Sequence, residues 1–233
     1  MNTNRENSLK SAKVIYDITR FTHLDYPDHL AAIFWFRSCN MRCDYCYNPE
    51  IVFAKTAPYS LMEALEFLKT RVGLLDAVVL SGGEATLHNL VEFAQEIKKL
   101  GFLIKLDTNG TNYESVQELL DLGLLDFIAL DYKAPQYKFT QITHSDKYKE
   151  FSKTLNMLIH REFDFEVRTT LHFDLLNEHD INLIMQDLKQ RKYLGRYYLQ
   201  KFVESGSNIG NLQNPQKSFN PELLSNDIKL LWR

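Results

Sequence analysis

The stretch "LAAIFWFRSCNMRCDYC" (residues 30–46) joins a run of apolar residues to all three cysteines of the chain. A short, continuous apolar run is typical of a strand that is buried on both faces, as in the parallel sheets of α/β proteins. Cys39, Cys43 and Cys46 follow this run directly, at the carboxyl end where such sheets build their sites. The stretch therefore predicts an α/β fold with a thiol-bearing loop after a buried strand.

Predicted strands and helices alternate along the rest of the chain. The strands cover residues 30–36, 76–83, 102–110, 126–133, 165–172 and 196–202, and the helices cover 60–72, 89–101, 113–123, 147–161, 178–191 and 221–232. Residues 204–220 are predicted to form a polar loop. This alternation is typical of parallel βα units, arranged either as an open doubly wound sheet or as a curved barrel of six units.

Composition limits the class of protein. The chain has 233 residues, of which 45% are hydrophobic, and we expect a single domain at 13–233 behind a disordered tail at 1–12. A net charge of −3 argues against nucleic-acid binding through phosphate neutralisation. The polar start lacks the apolar segment of a signal peptide, and the longest apolar run is far below the ~20 residues of a membrane span. We therefore expect a soluble, cytoplasmic protein that does not enter a membrane.

The spacing of the cysteines is typical of metal binding rather than of disulfides. An odd number of thiols cannot complete a disulfide framework. A structural zinc site needs four protein ligands, and neither His29 nor His88 has a compact spacing to the cysteines, so the zinc interpretation stays open but lacks a ligand. A four-iron cluster held by three thiolates has one iron with an open position, which can bind a small molecule. Such a site indicates chemistry rather than simple electron storage.

Polar residues stand at the carboxyl end of each later predicted strand, in "SGGE" (81–84), "DTNG" (107–110), "DYK" (131–133), "RTTLH" (168–172) and "QKF" (200–202). Gly82 and Gly83 either form a plain tight turn or let a ligand approach the backbone, because they carry no Cβ. Glu84 would then support the loop or a ligand group. Asp107 belongs to a turn or faces an ammonium group.

The later strand ends allow similar alternatives. Asp131 and Lys133 point to the same face, so they form either a surface salt bridge or a clamp for a zwitterion, with the carboxylate on an ammonium and the lysine on a carboxylate. Arg168 lies in an apolar strand and is either paired within the protein or faces an anionic ligand. For His172 we favour a satisfied local histidine over a catalytic one. Together these residues are compatible with a pocket for an amino-acid head group.

The spacing C-x3-C-x2-C followed by a GGE strand end resembles that of the radical S-adenosylmethionine (SAM) enzymes. In that family three cysteines hold a [4Fe-4S] cluster, and the amino and carboxylate groups of SAM chelate the fourth iron. A narrower resemblance covers most of the chain: residues 21–52 look like the start of glycyl-radical-enzyme activases, closest to the anaerobic ribonucleoside-triphosphate reductase activating proteins. "DTNG", "LDYK", "RTTLH" and "LQKF" extend this similarity to residue 202.

The resemblance implies a partial (βα)6 barrel with parallel strands, and a set of site residues. Cys39, Cys43 and Cys46 would bind the cluster. The expected cofactor-binding residues are Tyr45 at the adenine, Gly82, Gly83, Asp107 and Asp131 around the SAM amino group, Lys133 by its carboxylate, and in addition Glu84, Asn109 and Arg168. No side chain is required as a general base, and we predict no catalytic residue.

The implied reaction is that of an oxidoreductase that acts on another protein. The reduced cluster donates an electron to SAM, the S–C5′ bond breaks, and the resulting 5′-deoxyadenosyl radical removes a hydrogen atom from a glycine of a partner enzyme. The expected partner is an anaerobic ribonucleoside-triphosphate reductase, and the expected electron donor is flavodoxin or ferredoxin. The chain departs from the family pattern at four positions: we would expect Gly at Asp28, His at Tyr47, and Pro at Ala85 and Phe173.

Two alternatives remain. One is a radical SAM enzyme that acts on a small molecule, such as 7-carboxy-7-deazaguanine synthase. Those enzymes tend to follow the third cysteine with Asp-Thr for a magnesium ion, whereas Tyr47 and Asn48 follow it here. The other is a non-enzymatic iron–sulfur or zinc module, which would leave the polar strand ends without a purpose. Binding and cleavage of SAM by the purified protein would distinguish a radical SAM enzyme from the non-enzymatic module.

Overall fold

The computed structural model describes residue 9 and residues 13–233. The predicted disordered tail, residues 1–12, lies outside the described residues except for residue 9. The chain divides into two compact units. The first extends to Asn40 and includes residues 50–108 and 114–128, and the second comprises residues 41–49, 109–113 and 129–233. That residues 13–233 form a single domain stays a prediction.

The first unit contains strands in the order β3-β1-β2-β4-β5. They are β1 (Lys13–Thr22), β2 (Ala31–Phe36), β3 (Tyr59–Ser60), β4 (Ala77–Gly82) and β5 (Leu103–Thr108). The sequence predicted β2, β4 and β5, which pair in parallel. It did not predict β1, which pairs antiparallel with β2 and β3. In "KVIYDITRFT" exposed charged residues interrupt the apolar ones, so no continuous apolar run marks this strand.

Helices of this part of the chain begin and end at recognisable signals. They are α1 (Pro49–Phe53), α2 (Leu61–Lys69), α3 (Val91–Lys99) and α4 (Tyr113–Asp121). A capping box starts α2: the Ser60 hydroxyl accepts from the Glu63 amide at 3.2 Å, and the Ser60 amide donates to the Glu63 carboxylate at 2.7 Å. Gly101, with φ of +90°, follows α3 where a left-handed residue ends a helix without strain.

The second unit contains strands in the order β6-β7-β8-β9. They are β6 (Phe127–Asp131), whose first two residues belong to the first unit, β7 (Phe165–Leu171), β8 (Tyr197–Lys201) and β9 (Leu230–Trp232). Its helices are α5 (Gln136–Thr143), α6 (Tyr148–His160) and α7 (Glu178–Gln190). The sequence predicted all of these except α5 and β9, and β7, β8 and β9 pair in parallel.

The predicted closing helix at 221–232 is wrong. The segment forms a short 3-10 turn (Pro221–Leu223) and then β9. The Asn182 side chain donates to the Leu223 carbonyl at 2.9 Å and accepts from the Ser225 amide at 2.8 Å, so these groups are not available to a continuing helix. Pairing with β8 then takes up the backbone of residues 229–233. The predicted loop at 204–220 is confirmed, since those residues form no helix or strand.

Asp28 shows why the family pattern leads us to expect glycine at this position. Its φ is +63°, in the left-handed region that glycine adopts at little cost. Aspartate is among the few other residues that tolerate this conformation, because its short polar side chain can bond locally. Among the described residues, no helix is both long and apolar enough to cross a membrane.

Candidate functional site

A glycine turn after β4 holds the backbone that leads into the first cysteine. The Gly83 amide donates to the Phe36 carbonyl and the Glu84 amide donates to the Ser38 carbonyl, both at 2.8 Å. A Cβ on Gly83 would lie 1.9 Å from the Ser38 oxygen, and one on Gly82 would lie 2.3 Å from the Phe36 nitrogen. Only glycine fits either position, because real Cβ atoms do not approach backbone atoms so closely.

Two alternatives were predicted for these glycines, a plain tight turn or room for a ligand at the backbone. The structure shows the tight turn, because the space that a Cβ would occupy is filled by the protein's own backbone at residues 35–39. Contact of Gly82 or Gly83 with a ligand stays a prediction, and their established role is to fix the chain just before Cys39.

Glu84 ties the ends of β4 and β5 together. Its side chain is 1% exposed, and one carboxylate oxygen accepts from the hydroxyls of Thr86 at 2.6 Å and Thr108 at 2.8 Å. A buried carboxylate with this many donors is held in one orientation. Of the two roles predicted for Glu84, support of the loop is the one that the structure shows, and contact with a ligand stays a prediction.

Asp107 is already paired within the first unit. The Lys105 ammonium lies 2.9 Å from one carboxylate oxygen, and the Ser81 hydroxyl donates to the other at 3.2 Å. Lys105 is only 2% exposed, so its charge needs this partner. Sequence reasoning missed Lys105, although a lysine inside the apolar run "FLIKLD" is a signal that could have found it.

The cysteine loop begins in the first unit, which contains Cys39, and continues in the second, which contains Cys43 and Cys46. None of the three is in a disulfide, and Cys43 is 6% exposed while the other two are half-buried. The Cys46 amide donates to the Cys43 carbonyl at 2.9 Å and closes a tight turn between them. Among the described residues, no group of three or more His, Cys, Asp or Glu is already arranged around a metal position.

The donor set of the loop nevertheless fits an iron–sulfur cluster. Thiolates are the ligands that such clusters use, and three in eight residues, none consumed by a disulfide, match a site with one open iron. Mg²⁺ and Ca²⁺ prefer oxygen ligands, so this loop does not suit them. The cysteines therefore remain the proposed ligands.

Tyr45 lies buried beside the lysine of the DYK cluster. Its hydroxyl donates to the Lys133 carbonyl at 3.5 Å, and the Lys133 ammonium lies 5.9 Å from the centre of its ring. Burial raises the pKa of the Tyr45 phenol well above its ordinary value, so the ring stays neutral. A neutral aromatic ring is compatible with stacking on adenine. The contact between Tyr45 and adenine stays a prediction.

Asp131, Lys133 and Arg168 form one charged triad. The Asp131 carboxylate accepts from the Lys133 ammonium and from the Arg168 Nε, each at 3.0 Å. Of the alternatives predicted for Arg168, pairing within the protein is therefore shown. Burial alone would lower the pKa of Lys133, but Asp131 raises it well above its ordinary value. Lysine and arginine are also the side chains that bind anionic ligand groups through charge-assisted hydrogen bonds.

Two further residues named from the sequence have local partners. Asn109 is buried, and its side-chain oxygen accepts from the amide of Thr111 at 3.0 Å and from its hydroxyl at 2.7 Å, which forms an Asx turn. His172 accepts from the Asp174 amide at 3.3 Å and therefore donates through its other nitrogen to the Gln213 carbonyl at 2.9 Å. The prediction of a satisfied local histidine is confirmed, and a ligand contact for Asn109 stays a prediction.

A family model described as "Radical SAM superfamily" matches residues 33–188, which include the cysteine loop, the glycine turn and the charged triad. The chain belongs to the radical SAM superfamily. Membership confirms the predicted enzyme class and its cofactors, a [4Fe-4S] cluster and SAM. Which residues hold these cofactors is not tested by membership and is part of the proposal below.

Relatives and solved structures agree with this placement. A Methanocaldococcus jannaschii protein named as a glycyl-radical enzyme activating enzyme is 30% identical over 195 residues, covering 76% of this chain and 75% of the relative. A pyruvate formate-lyase-activating enzyme of Clostridium pasteurianum is 32% identical over 127 residues, covering 50% of this chain and 53% of the relative. SuiB of Streptococcus suis bound to SAM superposes with a TM-score of 0.63 at 11% identity, covering 86% of this chain and 51% of SuiB. This likeness confirms the predicted fold class, the partial barrel of radical SAM proteins.

The glycine turn yields a first prediction. Gly83→Ala should displace residues 36–39, because its Cβ cannot share space with the Ser38 carbonyl. We expect a loss of about 1–3 kcal/mol in the free energy of unfolding, measured by urea denaturation, together with a lower iron content after anaerobic reconstitution. Gly123→Ala is the control, since its Cβ meets nothing within 4 Å and tests backbone strain alone. Equal effects of the two substitutions would contradict the packing argument.

Proposed function

We propose that this chain is a radical SAM activase that generates a glycyl radical on a partner enzyme. The observation that carries the proposal is the similarity to a relative named as such an activating enzyme over 76% of the chain. The shorter match to a pyruvate formate-lyase-activating enzyme points to the same class of reaction. Both relatives are named as activating enzymes, which supports a protein substrate.

Cys39, Cys43 and Cys46 are the proposed cluster ligands. When reduced, the bound cluster supplies the single electron that cleaves the S–C5′ bond of SAM and so produces the radical that takes a hydrogen atom from glycine. The protein contributes position and surroundings. The Gly83–Ser38 contact fixes the chain before Cys39, and the turn between Cys43 and Cys46 positions the thiols of these two residues.

The charged triad is the proposed site for the methionine end of SAM. Its two cationic donors support a role for Lys133 at the SAM carboxylate, since such donors bind carboxylates through charge-assisted hydrogen bonds. Asp131 holds both Lys133 and Arg168 at 3.0 Å, so it also orients the cations that would bind the carboxylate. This refines the expected zwitterion clamp, in which Asp131 faces the amino group alone. Gly82, Gly83, Glu84, Asp107, Asn109 and Tyr45 complete the proposed set of SAM residues.

The finer identity of the partner is also a proposal. We infer that the partner is an anaerobic ribonucleoside-triphosphate reductase, because residues 21–52 and the later strand ends most resemble its activating proteins. A flavodoxin or ferredoxin would reduce the cluster, and both the partner and such donors are consistent with a cytoplasmic location.

The role of the triad can be tested by substitution. Asp131→Ala should weaken SAM binding by roughly 10- to 150-fold, since the loss of a charge-assisted contact costs about 1.5–3 kcal/mol. Affinity is measured by anaerobic titration of reconstituted protein, with iron content determined in parallel. The control is Asp227→Ala, which breaks the exposed pair with Lys189. If SAM affinity is unchanged in Asp131→Ala with a full cluster, the residue is structural only.

The reaction itself can be tested with the partner. Reduced protein, SAM and the anaerobic reductase of the same organism should give a glycine-centred doublet in the electron paramagnetic resonance spectrum. The doublet should be absent with Cys43→Ala, and absent when the radical glycine of the reductase is replaced by alanine. Cleavage of SAM without a radical on any glycyl-radical enzyme of that organism would favour a small-molecule substrate. A purified protein that contains stoichiometric zinc and shows no iron–sulfur absorption would contradict the cluster assignment.

A further inference from the structure

The polar loop at 204–220 makes direct contact with the cysteine loop. The Ile209 amide donates to the Cys46 carbonyl at 3.0 Å, and the Gly210 amide donates to the Asp44 carbonyl at 2.8 Å. Two successive amides of one segment therefore donate to two carbonyls of the other, those of residues 46 and 44. The contact is between main chains and includes one of the proposed cluster ligands.

Gly210 allows the two backbones to approach this closely. A Cβ on Gly210 would lie 2.7 Å from the Asp44 Cβ and 2.9 Å from both its Cα and its carbonyl oxygen. Any other residue at this position must push the cysteine loop aside or move away from it. The close approach is thus specific to glycine.

Asn208 shapes the segment that carries these amides. Its side-chain nitrogen donates to the Leu212 carbonyl at 2.8 Å, and its side-chain oxygen accepts from the Leu212 amide at 2.6 Å. The Asn211 amide bonds back to the Asn208 carbonyl at 3.3 Å. The turn closes on itself through residues 208, 211 and 212, and leaves the amides of 209 and 210 to face the cysteine loop.

The opposite side of the cysteine loop is held by the end of α5. The Arg42 amide donates to the Thr143 carbonyl at 2.8 Å, and the Asp44 amide donates to the Ile142 carbonyl at 3.1 Å. The His144 ring also lies 2.8 Å from the Asp44 carboxylate. Residues 42–46 are therefore bonded to α5 through their amides and to the 208–212 segment through their carbonyls.

The polar loop at 204–220 is also anchored to residues just after β7. His172 donates to the Gln213 carbonyl, and the Asp174 carboxylate accepts from the amides of Gln216 at 3.0 Å and Lys217 at 2.9 Å. Strand β7 also carries Arg168 of the charged triad. The polar loop therefore links β7, which carries the proposed SAM residue Arg168, to the Cys43–Cys46 turn, which carries two proposed cluster ligands.

We propose that Asn208–Leu212 is a positioning segment for the Cys43–Cys46 turn. It fixes the Asp44 and Cys46 carbonyls, and through the bond between the Cys46 amide and the Cys43 carbonyl it sets the direction of both thiols. The inference rests on the proposed function, because it assumes that these thiols hold the cluster. It assigns a role to the loop that neither the motifs nor the family resemblance explain.

The test compares two glycines of the same loop. Gly210→Ala forces its Cβ against Asp44, whereas Gly206→Ala meets no atom within 4 Å and serves as the control. For each protein we would measure iron per chain, the rate at which a chelator removes the iron, and the spectrum of the reduced cluster with and without SAM. We expect Gly210→Ala to lose iron about tenfold faster, equivalent to about 1.4 kcal/mol, and to show a weakened spectral response to SAM. Gly206→Ala adds only backbone strain, at a φ of +81°, and should keep the iron retention and the spectra of the unaltered protein.

A second position guards against a substitution that fails to fold. Asn208→Ala opens the turn without a clash, and Asn208→Asp keeps the acceptor for the Leu212 amide and should restore part of the effect. If the unaltered protein binds no iron–sulfur cluster, the proposed function is at fault and this inference falls with it. If it binds one, and both Gly210→Ala and Asn208→Ala lose iron at the rate of the unaltered protein and show its spectra, the positioning role is wrong. Failure of both variants to fold, or lower unfolding stability with unchanged spectra, would show a purely structural segment and would also overturn it.

Discussion

The contact between the backbones of Gly83 and Ser38 is the constraint on which the thiol-bearing loop depends. A parallel strand pair can end anywhere, but here the turn after β4 donates to the carbonyls of Phe36, the last residue of β2, and of Ser38 just beyond it. A carbonyl oxygen 1.9 Å from a hypothetical Cβ leaves no choice of side chain. The chain therefore enters Cys39 in one direction only, and the buried Glu84 keeps the turn in place by accepting from Thr108 of β5.

Ion pairs, like the backbone contact, fix side chains and main chain at the strand ends of each unit. Charged residues at two strand ends are paired: Lys105 with Asp107 in the first unit, and Asp131 with Lys133 and Arg168 in the second. In both groups the paired atoms lie 2.9–3.0 Å apart, so the charged side chains hold one another in a defined orientation.

The sequence predicted those parts of the fold that leave a mark on local composition. Continuous apolar runs marked β2, β4 and β5, and the cysteine spacing with the glycine turn marked the site. Strand β1 escaped because its exposed face carries charges, and β9 escaped because "LLW" acquires its strand geometry from pairing with β8. The partner of Arg168 lies 37 residues away, so the residues alone could not decide between pairing and a ligand.

The contact between residues 209–210 and the cysteine loop has an evolutionary consequence. Its hydrogen bonds run from main chain to main chain, so the identity of Ile209 contributes nothing to them. Selection on this contact would act on a single glycine, on the asparagine that folds the turn, and on the length of chain that returns them to the loop. Two homologues could therefore share the same support for their cysteines while their sequences in this region had diverged beyond recognition.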